Sequence, residues 1–247
     1  MKIILALLGI IICLLLFSFL PPKNKAQRIV NKAIKVHGGK NYQKATISFD
    51  FRNRHYIAQR HGAEFIYKRI FKNKANENIE DRLSNQGFQR KINNQVVELD
   101  QAKSNAYSNS VNSVIYFALL PFFLNDHAAV KEYLGQEIIN NRAYHKIKVH
   151  FKEAGGGDDF EDSYIYWFHK KTYQLDYLAY NYHVNGGGAR FRVAYNKRKL
   201  NGIRFADYIN FKPKTKSMDI ENFAKKYQAE ELVELSRIEN KNIEVTY

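Results

Sequence analysis

Apolar and polar residues alternate along most of the chain. Near the start of this pattern, Ile47, Phe49 and Phe51 are separated by single polar residues, which is the period of a half-buried strand. Similar segments follow in two groups, one before and one after residues 109–125, and the connections between them are short. Asn93-Asn94 and Asn140-Asn141 lie at two of these connections, and asparagine tolerates the positive φ of a tight hairpin turn. The pattern therefore predicts an antiparallel meander.

Two segments interrupt the alternation and predict helices. Residues 25–36 carry an apolar stripe, and Gly38-Gly39 follow as a C-terminal cap. Residues 110–120 begin with polar side chains, become strongly apolar and stop near Pro121. A helix as apolar as this second one has to be buried. Near the C-terminus, residues 221–235 are charged and suit a helix, whereas residues 243–247 suit a closing strand.

These elements predict a mainly β protein of the α+β class. The expected architecture is a strongly curved antiparallel sheet, or an incomplete β-barrel, of about ten strands around the central apolar helix, with the other helix at the N-terminus. No linker divides the chain after Pro22, so residues 23–247 are expected to form one β-rich domain.

The first 22 residues have the layout of a targeting segment. Residues 3–20 carry no charge, and Met1-Lys2 precede them. This predicts a signal peptide or an N-terminal membrane anchor over residues 1–22, with residues 3–20 in the membrane. Cleavage of a signal peptide requires small residues just before the cut, and the end of this apolar run offers few. This favours an uncleaved anchor. The basic residues that follow the apolar run would favour a cytoplasmic location of the domain. The N-terminal arrangement, in which Met1-Lys2 precede the apolar run, favours export. We therefore expect a periplasmic or cell-envelope location.

The net charge narrows the choice of partners. The chain has 39 Lys and Arg against 24 Asp and Glu, which gives +15. Basic and aromatic residues alternate at 49–54 and 190–193, as on a nucleic-acid platform, but half-buried strands show the same pattern. For an exported protein we expect no nucleic-acid partner, and the charge suits anionic lipid head groups, acidic glycans or solubility. The oligomeric state stays open.

Candidate catalytic chemistry is sparse. The sequence contains no Gly-x-Ser-x-Gly motif, and its one cysteine, Cys13, lies in the apolar run. The acidic loop at 155–162 lacks the spacing of an EF-hand, so a solvated hairpin loop is favoured, and no metal or other cofactor is predicted. A hydrolase or lyase acting on an envelope sugar or lipid is the alternative function. Its candidate residues are Asp158, Asp159, Glu161, Asp162 and His169.

Two resemblances refine this interpretation. Residues 133–149 combine a Gly-x-Glu strand, an Asn-Asn turn and an alternating strand, and with residues 164–175 they resemble two hairpins of the LolA/LolB-like lipoprotein-carrier superfamily. His37-Gly-Gly, together with segments near residues 110, 155 and 185, resembles an uncharacterised envelope-protein family common in Bacteroidetes (DUF6503-like). The carrier resemblance implies a LolA-like domain at 23–247 with an apolar cavity that accepts acyl chains. The second resemblance implies no activity.

The favoured function is non-enzymatic. We expect an envelope-associated protein that holds a lipid, an acyl chain or a partner segment between the curved sheet and the apolar helix. The alternative for each candidate residue is a place in a solid core. The candidate lining residues are Val114, Ile115, Phe117, Leu119, Phe122 and Phe123, facing Tyr164, Tyr166, Trp167 and Tyr180.

Overall fold

The computed structural model describes residues 25–154, 161–183 and 186–247. The predicted signal peptide or anchor at 1–22 lies outside these residues. Within them, no helix combines the length and the apolar character that crossing a membrane requires.

The N-terminal helix forms as predicted. Helix α1 spans Lys25–His37 and buries Ala26, Ile29, Val30, Ala33 and Ile34 on one stripe. It ends before Gly39, which adopts a φ of +56°. This is the left-handed conformation that glycine adopts without steric cost.

Fourteen strands in the described residues form two antiparallel sheets of seven strands each. The first sheet has the order β14-β1-β2-β3-β4-β5-β6, and the second has the order β13-β12-β11-β10-β9-β8-β7. The strands of the first sheet are β1 (Thr46–Phe51), β2 (Arg54–His61), β3 (Glu64–Lys72), β4 (Asn78–Ser84), β5 (Gly87–Ile92), β6 (Gln95–Val97) and β14 (Lys241–Thr246). Those of the second are β7 (Ala129–Ile139), β8 (Arg142–Phe151), β9 (Ser163–His169), β10 (Leu175–Tyr182), β11 (Gly188–Leu200), β12 (Ile203–Pro213) and β13 (Leu232–Ile238).

The two Asn-Asn pairs form the predicted turns. Asn93 and Asn94 have φ values of 48° and 67°, and Asn140 and Asn141 have values of 47° and 62°. Each pair connects strands whose flanking residues are directly opposite each other in the ladder. Two consecutive residues with positive φ match the right-handed twist of the flanking strands, so these hairpins are fixed locally.

The division into two sheets differs from the expected single curved sheet or incomplete barrel of about ten strands. Helix α2 (Gln101–Ala118) and a 3₁₀ turn at Phe122–Asn125 lie between β6 and β7 in the chain, so these strands become edges of different sheets. Two strands also come from the C-terminal segment. The charged stretch at 221–235 divides into a short helix, α3 (Phe223–Gln228), and β13, and β14 then pairs with β1.

Helix α2 is longer than the predicted 110–120. It starts at Gln101, where the Asp100 carboxylate caps it by accepting a hydrogen bond of 2.7 Å from the Lys103 N–H. The apolar pattern missed its first half because those side chains are mostly exposed. The helix contacts β3, β4 and β5. Val111 and Ile115 are buried in a cluster with the first sheet, and Leu119, just beyond the helix, joins them.

A buried charge cluster holds α2 on the first sheet. Asp81 is fully buried in β4 and accepts from Arg69 at 2.6 Å and from Arg90 at 2.6 Å. Arg69 also donates to the Ser110 hydroxyl on α2 at 2.6 Å. The two arginines satisfy both carboxylate oxygens, as a buried charge requires.

Replacing this carboxylate should destabilise the protein strongly. Asp81→Ala leaves two arginines without their buried anion, and we expect a loss of about 3–5 kcal/mol in the free energy of unfolding. Glu80→Gln is the matched control, because Glu80 forms a partly exposed pair with Lys68 at 3.4 Å. It should cost less than about 1 kcal/mol. Urea denaturation measures both, and equal losses would contradict the assignment.

His37 joins α1 to the second sheet in its neutral form. Its Nδ1–H donates to the Ala33 carbonyl at 2.8 Å, and its Nε2 accepts from the Leu175 N–H at 3.4 Å. Burial lowers the pKa of His37 from 6.5 to about 4, outweighing the raising effect of the Ala33 hydrogen bond. The unfolded chain therefore binds a proton at a pH where the folded protein does not.

The stability that neutral His37 contributes to the folded protein should disappear in acid. The stability it provides is complete above pH 6.5 and is lost as the pH falls towards 4, and a pKa change of this size corresponds to about 3 kcal/mol. His37→Gln removes the titrating group. The difference in unfolding free energy between wild type and variant, measured by urea denaturation, should therefore narrow from pH 7 to pH 4. A constant difference would show that His37 does not titrate in this way.

Candidate functional site

The second sheet presents aromatic rings to α2 through the alternation of β9. Tyr164, Tyr166 and Phe168 point to the face that carries α1 and the end of α2, whereas Ile165 and Trp167 point to the opposite face. Stacking continues along the inner face, where the Tyr164 and Tyr166 ring centroids are 6.2 Å apart. These rings form one wall of a gap beside α2.

One opening of this gap has a volume of about 540 Å³. We call it the Tyr116 cavity. It lies in the range typical of ligand pockets, about 300–1,000 Å³. Its lining residues come from both sheets, from α2 and from the segments between strands: Arg60, Ala63, Phe65, Tyr67, Asn112, Ser113, Tyr116, Phe117, Phe123, Asp126, Phe151, Asp162, Tyr164, Tyr180 and Tyr182.

Tyr116, on α2, extends this aromatic wall to the helix, because its ring centroid lies 6.4 Å from that of Tyr164. Its ring stacks on Phe123 at 5.3 Å and meets the edge of Phe117 at 5.6 Å. Its hydroxyl oxygen lies 3.2 Å from that of Tyr166. Burial raises the pKa of both hydroxyls well above the usual value, so both stay neutral and can share a hydrogen bond. The wall is therefore uncharged as well as largely apolar.

Charged groups lie among the lining residues of this cavity. Arg60 donates to the Tyr67 hydroxyl and has its guanidinium 5.1 Å from the centre of the Phe122 ring. Asp126 and Asp162 also line the cavity. Asp162 lies 3.3 Å from Nδ1 of His183. The Tyr116 cavity thus carries both signs of charge.

A second cavity of about 580 Å³, the Arg192 cavity, adjoins the first. Ser113, Phe117 and Tyr180 line both. The Phe117 and Tyr180 ring centroids are 5.3 Å apart, so this ring pair stands between the two spaces. The lining residues are Phe51, Arg52, Ser113, Val114, Phe117, Ala118, Tyr180, Arg190, Arg192, Tyr208, Asn210, Leu235, Ser236, Ile238 and Asn240.

The sequence matches one protein family over almost its whole length, from residue 6 to residue 240. The chain belongs to DUF6503. This is a family of unknown function, and the resemblance expected from the sequence is confirmed. No curated protein sequence is significantly similar to this DUF6503 chain.

Solved structures resemble the DUF6503 chain at low sequence identity. One is a DUF1329 family protein from Desulfovibrio piger ATCC 29098, with 12% identity, a TM-score of 0.49, and coverage of 90% of this chain and 93% of that one. Another is a LolA superfamily protein from Nitrosomonas europaea, with 10% identity, a TM-score of 0.48, and coverage of 90% and 91%.

The ten candidate lining residues occupy three kinds of position in the DUF6503 structure. Phe117, Phe123, Tyr164 and Tyr180 line the Tyr116 cavity, and Val114 lines the Arg192 cavity. Ile115, Leu119 and Tyr166 are fully buried, and Phe122 stacks on Tyr42 at 4.9 Å. Trp167 is fully buried on the outer face of the second sheet, where it donates to Glu137 at 2.8 Å. It cannot share a face with Tyr166, its neighbour in an alternating strand.

Of the residues in the alternative enzymatic hypothesis, those that the structure describes are not gathered into one site. Asp158 and Asp159 lie outside the described residues. Glu161 and Asp162 precede β9, whereas His169 ends it, about 20 Å further along an extended strand. The His169 Nδ1 accepts from the Thr172 N–H at 3.2 Å and so belongs to a turn. Within the described residues, no three or more His, Cys, Asp or Glu side chains are grouped to hold a metal ion.

The sequence prediction missed Tyr116, Arg60 and Arg192. Tyr116 lies between the candidates Ile115 and Phe117, and the candidate set on this helix contains no tyrosine. Arg192 belongs to the basic-aromatic alternation at 190–193, a pattern typical of a nucleic-acid platform or of a half-buried strand, and neither interpretation points to a lipid site. The feature that could have identified Arg192 is its place on the same sheet face as Tyr180. In the structure the two side chains meet across neighbouring strands and form a hydrogen bond of 2.9 Å.

Neighbouring residues of α2 should separate core from cavity. Ile115→Ala removes a fully buried side chain, and we expect a loss of about 2–5 kcal/mol in the free energy of unfolding. Val114→Ala removes atoms that border open space and should cost less than about 1 kcal/mol. Urea denaturation of both variants is the measurement, and similar losses would place Val114 in the core.

Proposed function

We propose that this DUF6503 protein binds a hydrophobic ligand, a lipid or an acyl chain, beside α2. The observation that carries the proposal is the Tyr116 cavity, which stays open between two sheets although aromatic rings surround it. Aromatic rings that close on each other bury their own surface, whereas rings left around an open space gain from a guest. This arrangement supports a binding function.

We further propose that residues 23–247 act as one domain in the cell envelope. In this proposal residues 1–22 direct export and anchor the protein, so that the cavity reaches ligands near the membrane. The pairing of the C-terminal strand β14 with β1 supports a single domain, because it joins the two ends of the described chain in one sheet. The partner of the cavity is then a membrane-derived molecule rather than a nucleic acid.

Ligand affinity should rise with the length of an acyl chain until the cavity is full. Each buried methylene contributes about 0.8 kcal/mol, which is about fourfold in affinity. Displacement of the fluorescent probe N-phenyl-1-naphthylamine by neutral fatty alcohols of increasing length measures this trend. A steady rise followed by a plateau is expected, and an affinity independent of chain length would contradict a cavity of limited size.

A variant that fills the cavity should abolish this binding. Ser113 lies on the exposed side of α2 and lines both cavities, so Ser113→Trp should lower the affinity for dodecanol at least tenfold. Ala106→Trp is the control, because Ala106 is exposed on the same helix and lines neither cavity. Unchanged binding in Ser113→Trp would refute the proposed location.

A further inference from the structure

Arg192 is a buried cation without a carboxylate partner among the described residues. It is 8% exposed and lies in β11 on the inner face of the second sheet. The ion pairs formed within residues 25–154, 161–183 and 186–247 use other cations. Removing a charge from water without an opposite charge is costly, so such a residue calls for another source of negative charge.

Aromatic rings hold the Arg192 guanidinium in a fixed place. Its carbon lies 4.1 Å from the centre of the Phe117 ring and 5.0 Å from that of Tyr180. Nη2 donates to the Tyr180 hydroxyl at 2.9 Å. Nε is buried and has no hydrogen-bond partner among the described residues. The rings favour the cation and fix its orientation, but they leave one strong donor unused.

Asn210 supplies a matching unused acceptor. It is directly opposite Arg192 in the ladder between β11 and β12, and only 7% of it is exposed. Its Nδ2 donates to the Ser236 hydroxyl at 3.3 Å, whereas Oδ1 is buried without a partner in the described structure. An unpaired donor and an unpaired acceptor therefore lie side by side, and both residues line the Arg192 cavity.

The surrounding charge has one sign. Arg52, Arg190 and Arg192 line this cavity, and none of the described residues that line it is acidic. The Tyr116 cavity, in contrast, is lined by Arg60 and by two aspartates. A negative group is therefore favoured in the Arg192 cavity rather than in the adjoining Tyr116 cavity. The side chain of Phe117 lines both cavities.

We propose that the Arg192 cavity binds the acidic head group of an amphiphile whose apolar tail occupies the Tyr116 cavity. This inference rests on the proposed function and specifies the ligand as a single-chain anionic lipid. An acidic oxygen of the head group accepts from Nε of Arg192, as carboxylates and phosphates do in charge-assisted pairs. A hydroxyl on the head group donates to Oδ1 of Asn210, so both unpaired groups are satisfied.

A series of ligands with one tail and different heads tests the proposal on the wild-type protein. The ligands are dodecanol, dodecanoate, dodecyl phosphate, lauroyl-lysophosphatidylglycerol and dodecyltrimethylammonium, each used to displace N-phenyl-1-naphthylamine at pH 8. The anionic ligands should bind at least tenfold more tightly than dodecanol, and the cationic ligand should bind more weakly than dodecanol. The order among the three anions distinguishes a fatty acid from a phosphate-bearing lipid as the natural source.

The outcomes separate this inference from the proposed function. Equal affinity for dodecanol and for all three anions overturns the head-group site while hydrophobic binding stands. Failure of every ligand to displace the probe overturns the proposed function itself. Both results come from the unmodified protein and do not depend on the folding of any variant.

Two variants then locate the site. Arg192→Gln should bring the affinities for dodecanoate and dodecanol to within about twofold of each other. Arg142→Gln is the control for net charge, because Arg142 is exposed on β8 and lines neither cavity, and it should keep the preference. Asn210→Leu should lower the affinity for lauroyl-lysophosphatidylglycerol, whose head group carries hydroxyls, more than the affinity for dodecyl phosphate. A preserved preference in Arg192→Gln would refute the assignment.

Discussion

The arrangement of the molecule depends on a helix that is buried on one side and faces a gap on another. Val111 and Ile115 of α2 are fully enclosed with the first sheet, whereas Tyr116 and Phe117 reach towards the second sheet. The ion cluster of Arg69, Asp81 and Arg90 holds the helix in this position from the first sheet. These contacts hold the helix against the first sheet and so oppose a shift of the helix towards the second sheet.

The second sheet is covered on both faces, and this explains the composition of its central strands. Strand β9 is buried almost continuously, in contrast to the alternating burial of β1. Trp167 packs with Phe191 and with Phe223 of α3 on the outer face, while Tyr164 and Tyr166 face inwards. A strand buried on both sides needs apolar residues at every position. The outer cluster packs α3 against the sheet, and the inner one contributes Tyr164 and Tyr180 to the cavity lining.

Charge is distributed unevenly between the two cavities. Aromatic faces stabilise the Arg192 guanidinium, and no described carboxylate neutralises it. In the cluster around Asp81, by comparison, every charge has an opposite neighbour. Arg192 therefore keeps hydrogen-bonding capacity for a ligand, whereas the charges around Asp81 use theirs to hold α2 on the first sheet. This difference is the physical reason to regard Arg192 as part of a binding site and Arg69 as part of the scaffold.

The sequence by itself determined the features that depend on a few neighbouring residues. The two-residue period predicted β1, the apolar stripe predicted α1, and Asn93-Asn94 and Asn140-Asn141 predicted hairpin turns, because backbone conformation and local burial are set within each segment. Tertiary structure alone decided the division into two sheets, the return of β14 to β1, and the side of the sheet on which Trp167 lies. It also decided where Phe117, Tyr180 and Arg192 meet, because an open space arises from how distant segments fail to fill it.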